Sequence, residues 1–234
     1  MIKKLILCAG SLGLAASIYA GNLIDKVLVY LHPTWPKLTQ SDKEIEKINQ
    51  QLGTDFTKWG DVFKATAGVE LRKKLNDKFD LGINVFEYSR GKIDETEPFI
   101  YGSAHLIQKR EYFGFGPNLY YNFSRGKTIN PFIGLGVSAN HLKSSVKMTL
   151  EGYLNEHSTA ELSDWSPGAT ISAGANLRLN KHLEFTGWVN YTWGKFKKDI
   201  TVHDNLVGEY KLHSVVDITG PGVLLGLNYV FSPK

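Results

Sequence analysis

Apolar and polar residues alternate with a period of two through most of the chain beyond about residue 22. Segments 113–123 and 133–140 place apolar or aromatic residues on odd positions and mostly Gly, Asn or Ser on even ones. Because successive side chains of a strand point to opposite faces, this alternation predicts strands with one apolar face. We expect eight strands, near 23–32, 62–74, 79–91, 108–123, 131–147, 166–179, 183–197 and 218–231.

The polar faces of these segments indicate what surrounds the strands. They are dominated by Gly, Asn, Ser and Thr, with few Lys or Glu, whereas the opposite faces carry Phe, Leu, Val, Tyr and Trp. A strand face in water normally carries many charges, while small and amide residues suit a crowded polar interior. The pattern predicts an all-β fold, a membrane-spanning antiparallel up-and-down β-barrel of eight strands with lipid outside and a polar lumen inside.

The segments between the strands alternate in length. Short polar turns are expected at 76–78, 124–130 and 180–182, and long polar loops at 33–61, 92–107, 148–165 and 198–217. Such asymmetry is typical of outer-membrane barrels, and an even strand count places both termini on the periplasmic, short-turn side. The first strand has an alternative, because its continuous apolar run at 27–31 also fits an interfacial segment. A strand within 198–217 would then complete the barrel.

The first long loop contains a helix signal. Ser41 and Glu44 fit a capping box, in which each side chain satisfies a free backbone amide of the other residue. Ile45, Ile48 and Leu52 follow on one helical face. We predict a helix near 42–52, acting either as a folded element over the barrel rim or as a lid, plug or partner-docking helix.

The N-terminus has the features of an export signal. A cationic start at 1–4 precedes an apolar stretch at 5–17, and Ala20 is a small residue suited to a cleavage site. We therefore expect residues 1–20 to be a cleaved signal peptide and 21–234 to be the barrel domain, exported to a bacterial outer membrane. Cys8 is the only cysteine and lies in the signal, so no disulfide framework is expected.

The composition and charge indicate which classes of protein this chain does not resemble. The 234 residues are 42% hydrophobic and 21% charged, and the net charge is +4. No apolar run is long enough for a transmembrane helix, and the modest charge is unlike that of nucleic-acid-binding proteins.

The C-terminal residues carry a family resemblance. Gly226, Tyr229 and Phe231 resemble the C-terminal assembly signal of bacterial outer-membrane barrels, although Leu224 replaces its usual polar residue and three residues follow Phe231. With the export signal, alternation and loop asymmetry, the chain resembles the small eight-stranded outer-membrane β-barrel family of the OmpA transmembrane domain, OmpX, OmpW and opacity-type proteins. This resemblance implies outer-membrane lipid, lipopolysaccharide, the barrel-assembly machinery and periplasmic chaperones as partners.

Charged residues with inward parity predict a polar network in the lumen. Buried charges have to be paired to avoid a large desolvation cost. The network would be either a structural plug, as the bulky inward Tyr120 and Trp188 indicate, or the lining of a gated narrow pore, for which inward glycines leave room. Its predicted members are Lys64, Glu70, Arg72, Asp80, Arg178 and Glu184.

The sequence gives only weak signals for a metal-binding or catalytic site. The seven histidines show no metal-ligand spacing, although His203 and His213 have acidic neighbours in the last loop. His141 with Ser144 or Ser145 resembles the His–Ser pairs of lipid A-modifying barrels, but no deacylase-type motif accompanies it. We predict no cofactor, metal or catalytic site. The expected interface aromatics are Trp35, Tyr88, Tyr112, Trp165, Tyr191, Trp193 and Tyr229.

The sequence leaves two main functional hypotheses. One is a structural or surface-interaction scaffold whose specificity lies in its long loops. The other is a narrow channel for ions or small hydrophobic solutes, which the resemblance to OmpW permits. A lipid A-modifying enzyme is a distant third, because the fold alone does not select a function.

Overall fold

The computed structural model describes residues 23–34, 39–58, 64–152 and 155–231, so the predicted signal peptide and Trp35 lie outside the described residues. None of the helical structure in these ranges has the length and hydropathy needed to cross a membrane. The elements are β1 Lys26–Thr34, α1 Thr39–Leu52, β2 Lys64–Lys74, β3 Phe79–Phe99, β4 Gly102–Asn122, β5 Ile129–Gly152, β6 Glu156–Arg178, β7 Leu183–Asp204, β8 Gly208–Asp217 and β9 Gly220–Val230.

The strands close into an antiparallel ring, which confirms the predicted eight-stranded barrel. Each strand pairs with the next from β1 to β7, and β9 pairs with both β7 and β1. β8 and β9 are two segments of the eighth strand, because both lie along β7 and only Ile218 and Thr219 separate them. Since β1 is paired on both sides, the alternative of an interfacial first segment is wrong.

The strands from β3 onward are longer than predicted, whereas β1 and β2 are close to their predicted lengths. The stretches expected as loops at 92–107, 148–165 and 198–217 are mostly strand, so these three loops were predicted wrongly. They belong to three long hairpins, β3–β4, β5–β6 and β7–β8. Among the residues that the structure describes, the first predicted loop, which contains α1, is the one long segment that leaves the barrel wall.

The alternation of apolar and polar residues continues into these hairpins, but there the outward side chains are polar and the inward ones apolar. Along β5 the outward residues change from Ile133, Leu135 and Val137 to Lys143 and Lys147, while inward positions become apolar. The change occurs at a row of paired residues, which we call the girdle row: Tyr88, Phe113, His141 and Trp165. We call the barrel between this row and the short turns the turn half, and the rest the arm half.

The two halves are built for different surroundings. The turn half has an exposed apolar outer belt, including Leu31, Ile83, Leu135, Val189 and Leu225. Its interior is mostly polar and also contains one buried cluster of aromatic and leucine side chains. The arm half has a charged outer face and an apolar interior. Its core comprises Ile45, Phe56, Ile93, Ala104, Leu106, Leu142, Leu162, Phe196 and Val216. This distribution places the lipid around the turn half and water around the arm half.

Helix α1 and residues 53–58 lie where the arm half lacks two strands. β1 and β2 stop near the girdle row, so β3 beyond Tyr88 and β8 each have one strand partner among the described residues. The helix contacts β8 and buries Ile45, while Phe56 beyond it is 1% exposed. On the β3 side, the backbone and hydroxyl of Thr57 donate to the Glu95 carboxylate at 2.8 and 2.5 Å.

The structure confirms the predicted helix and shows how it ends. Helix α1 extends from Thr39 to Leu52, slightly longer than the predicted 42–52. Gly53 follows with φ of 71°, a left-handed conformation that favours glycine. Asn49 then holds the returning chain, because its amide accepts from the Phe56 backbone N–H at 2.9 Å and donates to the Phe56 carbonyl at 3.0 Å.

Candidate functional site

A buried ion pair crosses the middle of the turn half. Arg72 Nε donates to Glu70 Oε1 at 2.5 Å, and both side chains are 3% exposed. The second Glu70 oxygen accepts from Asn118 Nδ2 at 2.6 Å and from the Tyr120 hydroxyl at 2.8 Å. The two residues stand two apart on β2 and therefore share its inward face. Their mutual contact satisfies the requirement that buried charges be paired.

Aromatic rings surround the Arg72 guanidinium. Its central carbon lies 4.1 Å from the Tyr120 ring centroid and 5.6 Å from that of Trp188. The inward glycines provide room for such rings. A Cβ placed on Gly68 would come within 2.3 Å of the Tyr30 ring, and one on Gly174 within 2.3 Å of Trp188 Cβ. The space left by these glycines is therefore filled by aromatic side chains of neighbouring strands.

Asp80 and Glu184, also predicted for the network, have other partners. Asp80 Oδ1 accepts from Arg125 Nη2 at 2.5 Å, and Glu184 Oε2 accepts from Lys26 Nζ at 2.7 Å. Neither cation was predicted from the sequence. Lys26 has the same parity as the inward Leu28, which was a usable signal, whereas Arg125 lies in a turn and has no such pattern.

The remaining predicted members, Arg178 and Lys64, lie away from the buried pair. Arg178 is exposed at the turn end, where Nη1 donates to the Gly126 carbonyl at 3.4 Å. It is opposite Glu184 in register but does not form an ion pair with it. Lys64 begins β2, and its side chain lies outside the described residues.

A layer of amide and hydroxyl groups lies beside the charged network. Thr186 Oγ1 donates to Asn176 Oδ1 at 2.7 Å, and Asn228 Nδ2 donates to both side chains. All three residues are buried. Their even numbering on β6, β7 and β9 indicated an inward position, but uncharged residues were not considered as network members.

Two cavities lie along the lumen on either side of the Glu70–Arg72 pair. A vestibule of about 880 Å³ opens at the turn end and is lined by Lys26, Asp80 and Arg178, among others. A chamber of about 150 Å³ lies towards the arm half. The chamber contains a second buried pair, because His32 Nδ1 lies 2.8 Å from Glu87 Oε1.

Two charged residues near this chamber, Glu87 and Arg110, were missed by the sequence analysis. A β-bulge in β3 between Asn84 and Glu87 shifts the register, so that odd residues beyond it point inward. Arg110 lies in the arm half, where burial lowers its pKa to about 10 against the opposing effect of Asp42 and Glu44 on helix α1. Arg110 therefore links the barrel interior electrostatically to the helix.

The weak catalytic and metal candidates are not assembled into sites. His141 faces outward and its Nε2 lies 3.1 Å from Ser163 Oγ, whereas Ser144 is buried on the opposite face of β5. Ser145 lies four residues along the strand. His203 and His213 form separate pairs with Glu209 and Asp199. Within the described ranges no group of three or more His, Cys, Asp or Glu side chains is placed to hold a metal.

The predicted aromatic girdle needs one correction. Trp165, Tyr191, Trp193 and Tyr229 are exposed on the outer face, and Tyr88 is half-buried in the girdle row. Tyr112 instead points into the lumen and donates to Asn140 Oδ1 at 2.8 Å. Its even number on β4 places it on the polar inner face, so the interface prediction for Tyr112 is wrong.

The predicted assembly-signal residues lie at the closure of the ring. Gly226 pairs with Tyr30 and Tyr229 with Val27, while the Phe231 N–H donates to the Asp25 carbonyl at 3.0 Å. The Tyr229 and Phe231 rings are 5.1 Å apart. This end of β9 therefore joins the last strand to the first.

Comparison with known proteins gives a family. Residues 6–231 match the model of the outer membrane protein beta-barrel domain. The solved structure of the outer membrane protein OprG from Pseudomonas aeruginosa has 12% identity and a TM-score of 0.51, covering 88% of this chain and 95% of that chain. Neisserial surface protein A has 12% identity and a TM-score of 0.48, covering 88% and 96%. No curated protein matches this chain. The chain belongs to the outer membrane protein β-barrel family.

Proposed function

We propose that this protein is a surface-interaction scaffold of the bacterial outer membrane. The observation that carries the proposal is the double closure of the lumen. The Glu70–Arg72 network and its aromatic rings close the lumen of the turn half between the vestibule and the chamber, and helix α1 completes a packed apolar core in the arm half. A lumen closed in this way stabilises a rigid support, and the chemistry available to partners lies on its outer surface.

The arm half is proposed to face the cell exterior. Lys26 and Val230 pair at the turn end, so both ends of the barrel chain lie there. A chain exported after signal cleavage and inserted from the periplasm keeps its ends on the periplasmic side, with short turns there and longer extensions outside. For export and insertion, the proposed partners are the periplasmic chaperones and the barrel-assembly machinery. Once the barrel is inserted, its proposed partners are outer-membrane lipid and lipopolysaccharide.

The tips of two hairpins provide the proposed contact surface. Ile100 and Tyr101 between β3 and β4 are 89% and 72% exposed, and Leu206 and Val207 between β7 and β8 are 54% and 77% exposed. Each tip presents two adjacent exposed apolar residues, and exposed apolar patches are typical of interaction surfaces. We expect these residues, rather than the long polar loops expected from the sequence, to contact an apolar patch on another cell surface or protein.

A narrow channel is the second candidate function. The turn-end vestibule of about 880 Å³ and the chamber of about 150 Å³ favour it, because they occupy the line that a pore would follow. The buried pair between them and the core beyond oppose it.

One paired experiment separates these functions. Cells producing the wild-type protein are compared for adherence and autoaggregation with cells producing I100S/Y101S/L206S/V207S, while purified protein is tested for conductance in planar bilayers. The scaffold predicts reduced adherence for the variant and a silent, inserted wild type. The substitutions L75S/L179S at the turn end control for the loss of exposed apolar residues away from the hairpin tips. Unchanged adherence together with discrete current steps would instead favour the channel.

A further inference from the structure

The outer face of the arm half carries a cluster of lysines around Lys109. On β3 and β4, Lys92 and Lys109 are directly opposite each other, a register that places side chains about 4.5–5.5 Å apart at Cβ. On the other side Lys109 is opposite Ser145, and Lys143 and Lys147 lie two residues to either side of that serine. Diagonal neighbours of this kind are about 7–8 Å apart. We call Lys92, Lys109, Lys143 and Lys147 the lysine patch.

The lysine patch keeps a positive surplus, although three acidic residues lie among its lysines. Asp94 pairs with Lys92, Glu111 is opposite Lys143, and Glu161 is opposite Ser145. Glu111 pairs with Arg90 at 3.2 Å, and Asp94 pairs with both Lys92 and His105. Lys109, Lys143 and Lys147 have no ion pair in the described part of the chain and are exposed. Like charges placed opposite each other destabilise a sheet. Asp94 offsets the charge of Lys92, so the remaining cost in the isolated protein falls on Lys109, and an anionic ligand would remove it.

The height of the lysine patch fits the headgroup region of a membrane. Lys109 lies four residues beyond Phe113 of the girdle row, and Lys143 lies two beyond His141. At about 3.3 Å per residue and a strand tilt of about 40°, Lys143 is about 5 Å and Lys92 and Lys109 are about 10 Å above the girdle. Lys147, six residues beyond His141, is about 15 Å above it. Aromatic girdles lie at the membrane–water interface, so the lysine amines reach the level at which lipid phosphates occur.

We propose that the lysine patch binds the phosphorylated sugar headgroup of an outer-leaflet glycolipid, a lipid A-type molecule. Its acyl chains would lie along the exposed outer faces of Phe115, Ile133 and Leu135 below the girdle. The site combines phosphate-binding amines with an adjoining apolar wall, which a soluble phosphate would leave unused. The inference rests on the proposed orientation, because such glycolipids occupy the outer leaflet.

Native mass spectrometry of the folded protein in detergent, with bisphosphorylated lipid A added, tests the site. The variant K92Q/K109Q/K143Q/K147Q is compared with K127Q/K181Q/K197Q/K211Q, which removes the same charge elsewhere. We expect the patch variant to lose about tenfold or more in lipid A affinity and the control to stay near wild type. Monophosphorylated lipid A should bind more weakly than the bisphosphorylated form. A heat-dependent gel shift verifies folding of each variant.

Three outcomes would overturn the proposal. Equal loss in both variants would show general electrostatic attraction, and no loss in either would show that the lysine patch does not bind lipid A. Displacement of lipid A by inorganic pyrophosphate at equal concentration would assign the patch to soluble phosphate. Because the assay uses purified protein, its result is independent of whether the hairpin tips mediate adherence, so failure of one proposal is distinguishable from failure of the other.

Discussion

At the scale of single residues, stability depends on how each buried charge is paired. Glu70 and Arg72 are buried and contact each other, and Glu70 also accepts from Asn118 and Tyr120. Removing one member of such a pair leaves an uncompensated charge, whereas replacing both members by well-packed neutral residues is often nearly neutral. The stability of the barrel therefore depends on whether both members of the pair are kept or replaced together.

We predict that Arg72→Ala lowers the free energy of unfolding by about 3–5 kcal/mol, because the Glu70 carboxylate loses its counter-ion in the lumen. The double variant E70Q/R72M keeps the hydrogen-bonding carbonyl and the bulk, and should recover most of that loss. Urea unfolding of the barrel in phospholipid vesicles, followed by tryptophan fluorescence, measures both. Equal destabilisation of the two variants would contradict the role assigned to charge pairing.

A second residue-scale prediction concerns the tip of the β7–β8 hairpin. The amides of Leu206 and Val207 donate to Asp204 and hold the pKa of its carboxyl below the ordinary 3.8. Burial and the adjacent Asp204 raise the pKa of Glu156 above 4.5. Asp204 therefore stabilises the tip above its ordinary pKa, and this contribution is lost as the pH falls through its lowered pKa. Glu156 favours the folded tip when protonated, and that contribution is lost as the pH rises through its raised pKa.

At pH 7, Glu156→Gln should therefore slow amide hydrogen exchange at residues 205–207 by a few fold, since it keeps a donor to Asp204 without the second negative charge. Asp204→Ala should accelerate exchange there, because both amides lose their acceptor. Exchange in the β3–β4 tip serves as the internal reference and should not change. If Glu156→Gln accelerates exchange instead, the carboxyl interaction is stabilising and the assignment is wrong.

At the scale of elements, the sequence predicted strand identity well and strand length poorly. Parity placed Glu70, Arg72, Asp80 and Glu184 on inward faces, and the apolar spacing of Ile45, Ile48 and Leu52 located helix α1. The predicted capping box was wrong, because the helix begins at Thr39 and Ser41 lies inside it. The parts of the strands that lie in the arm half were interpreted as loops, because only an alternation with apolar residues facing outward was taken to indicate a strand. Along β5, the same period of two continues with the faces exchanged. Long-range pairings such as Lys26 with Glu184 could not be read from local pattern, since they depend on how the ring closes.

Helix α1 is held to the arm half mainly through apolar contacts. Phe56 is 1% exposed in a core formed by strands from the whole arm, so its truncation removes packing on several sides. We predict that Phe56→Ala costs about 3–5 kcal/mol locally, a value typical of buried aromatic truncation. The amides of residues 45–52 should then exchange at least about 100-fold faster, because each 1.4 kcal/mol corresponds to a factor of ten.

The exposed Lys47→Ala serves as the matched control on the same segment and should leave this exchange unchanged. Protection in the turn half of β5, around Ile133–Val137, should persist in both variants, since those amides belong to the lipid-facing ladder. Loss of protection throughout the barrel on Phe56→Ala would show that α1 is part of one cooperative unit with the membrane half.

At the scale of the whole molecule, the exchange of faces at the girdle row divides one barrel into a membrane-embedded part and a water-exposed part. This division predicts topology in the cell. Cys8 is the only cysteine and lies in the predicted signal peptide, so single engineered cysteines can be labelled selectively. Val207→Cys should react with an impermeant maleimide on intact cells, and Lys181→Cys only after the outer membrane is permeabilised. The reverse labelling would invert the proposed orientation.

Conductance is the property that depends on both halves together. The Glu70–Arg72 network and the α1-containing core lie in series along the lumen, so we expect either closure alone to block ions. We predict that wild type, R72A/W188A, and a variant with residues 42–56 replaced by a Gly-Ser linker are each silent in planar bilayers. Only the combination of both changes should give discrete current steps, because only then does the vestibule connect through the chamber to the arm end. Steps from wild type would contradict the series closure, and steps from one altered half would identify the other half as permeable.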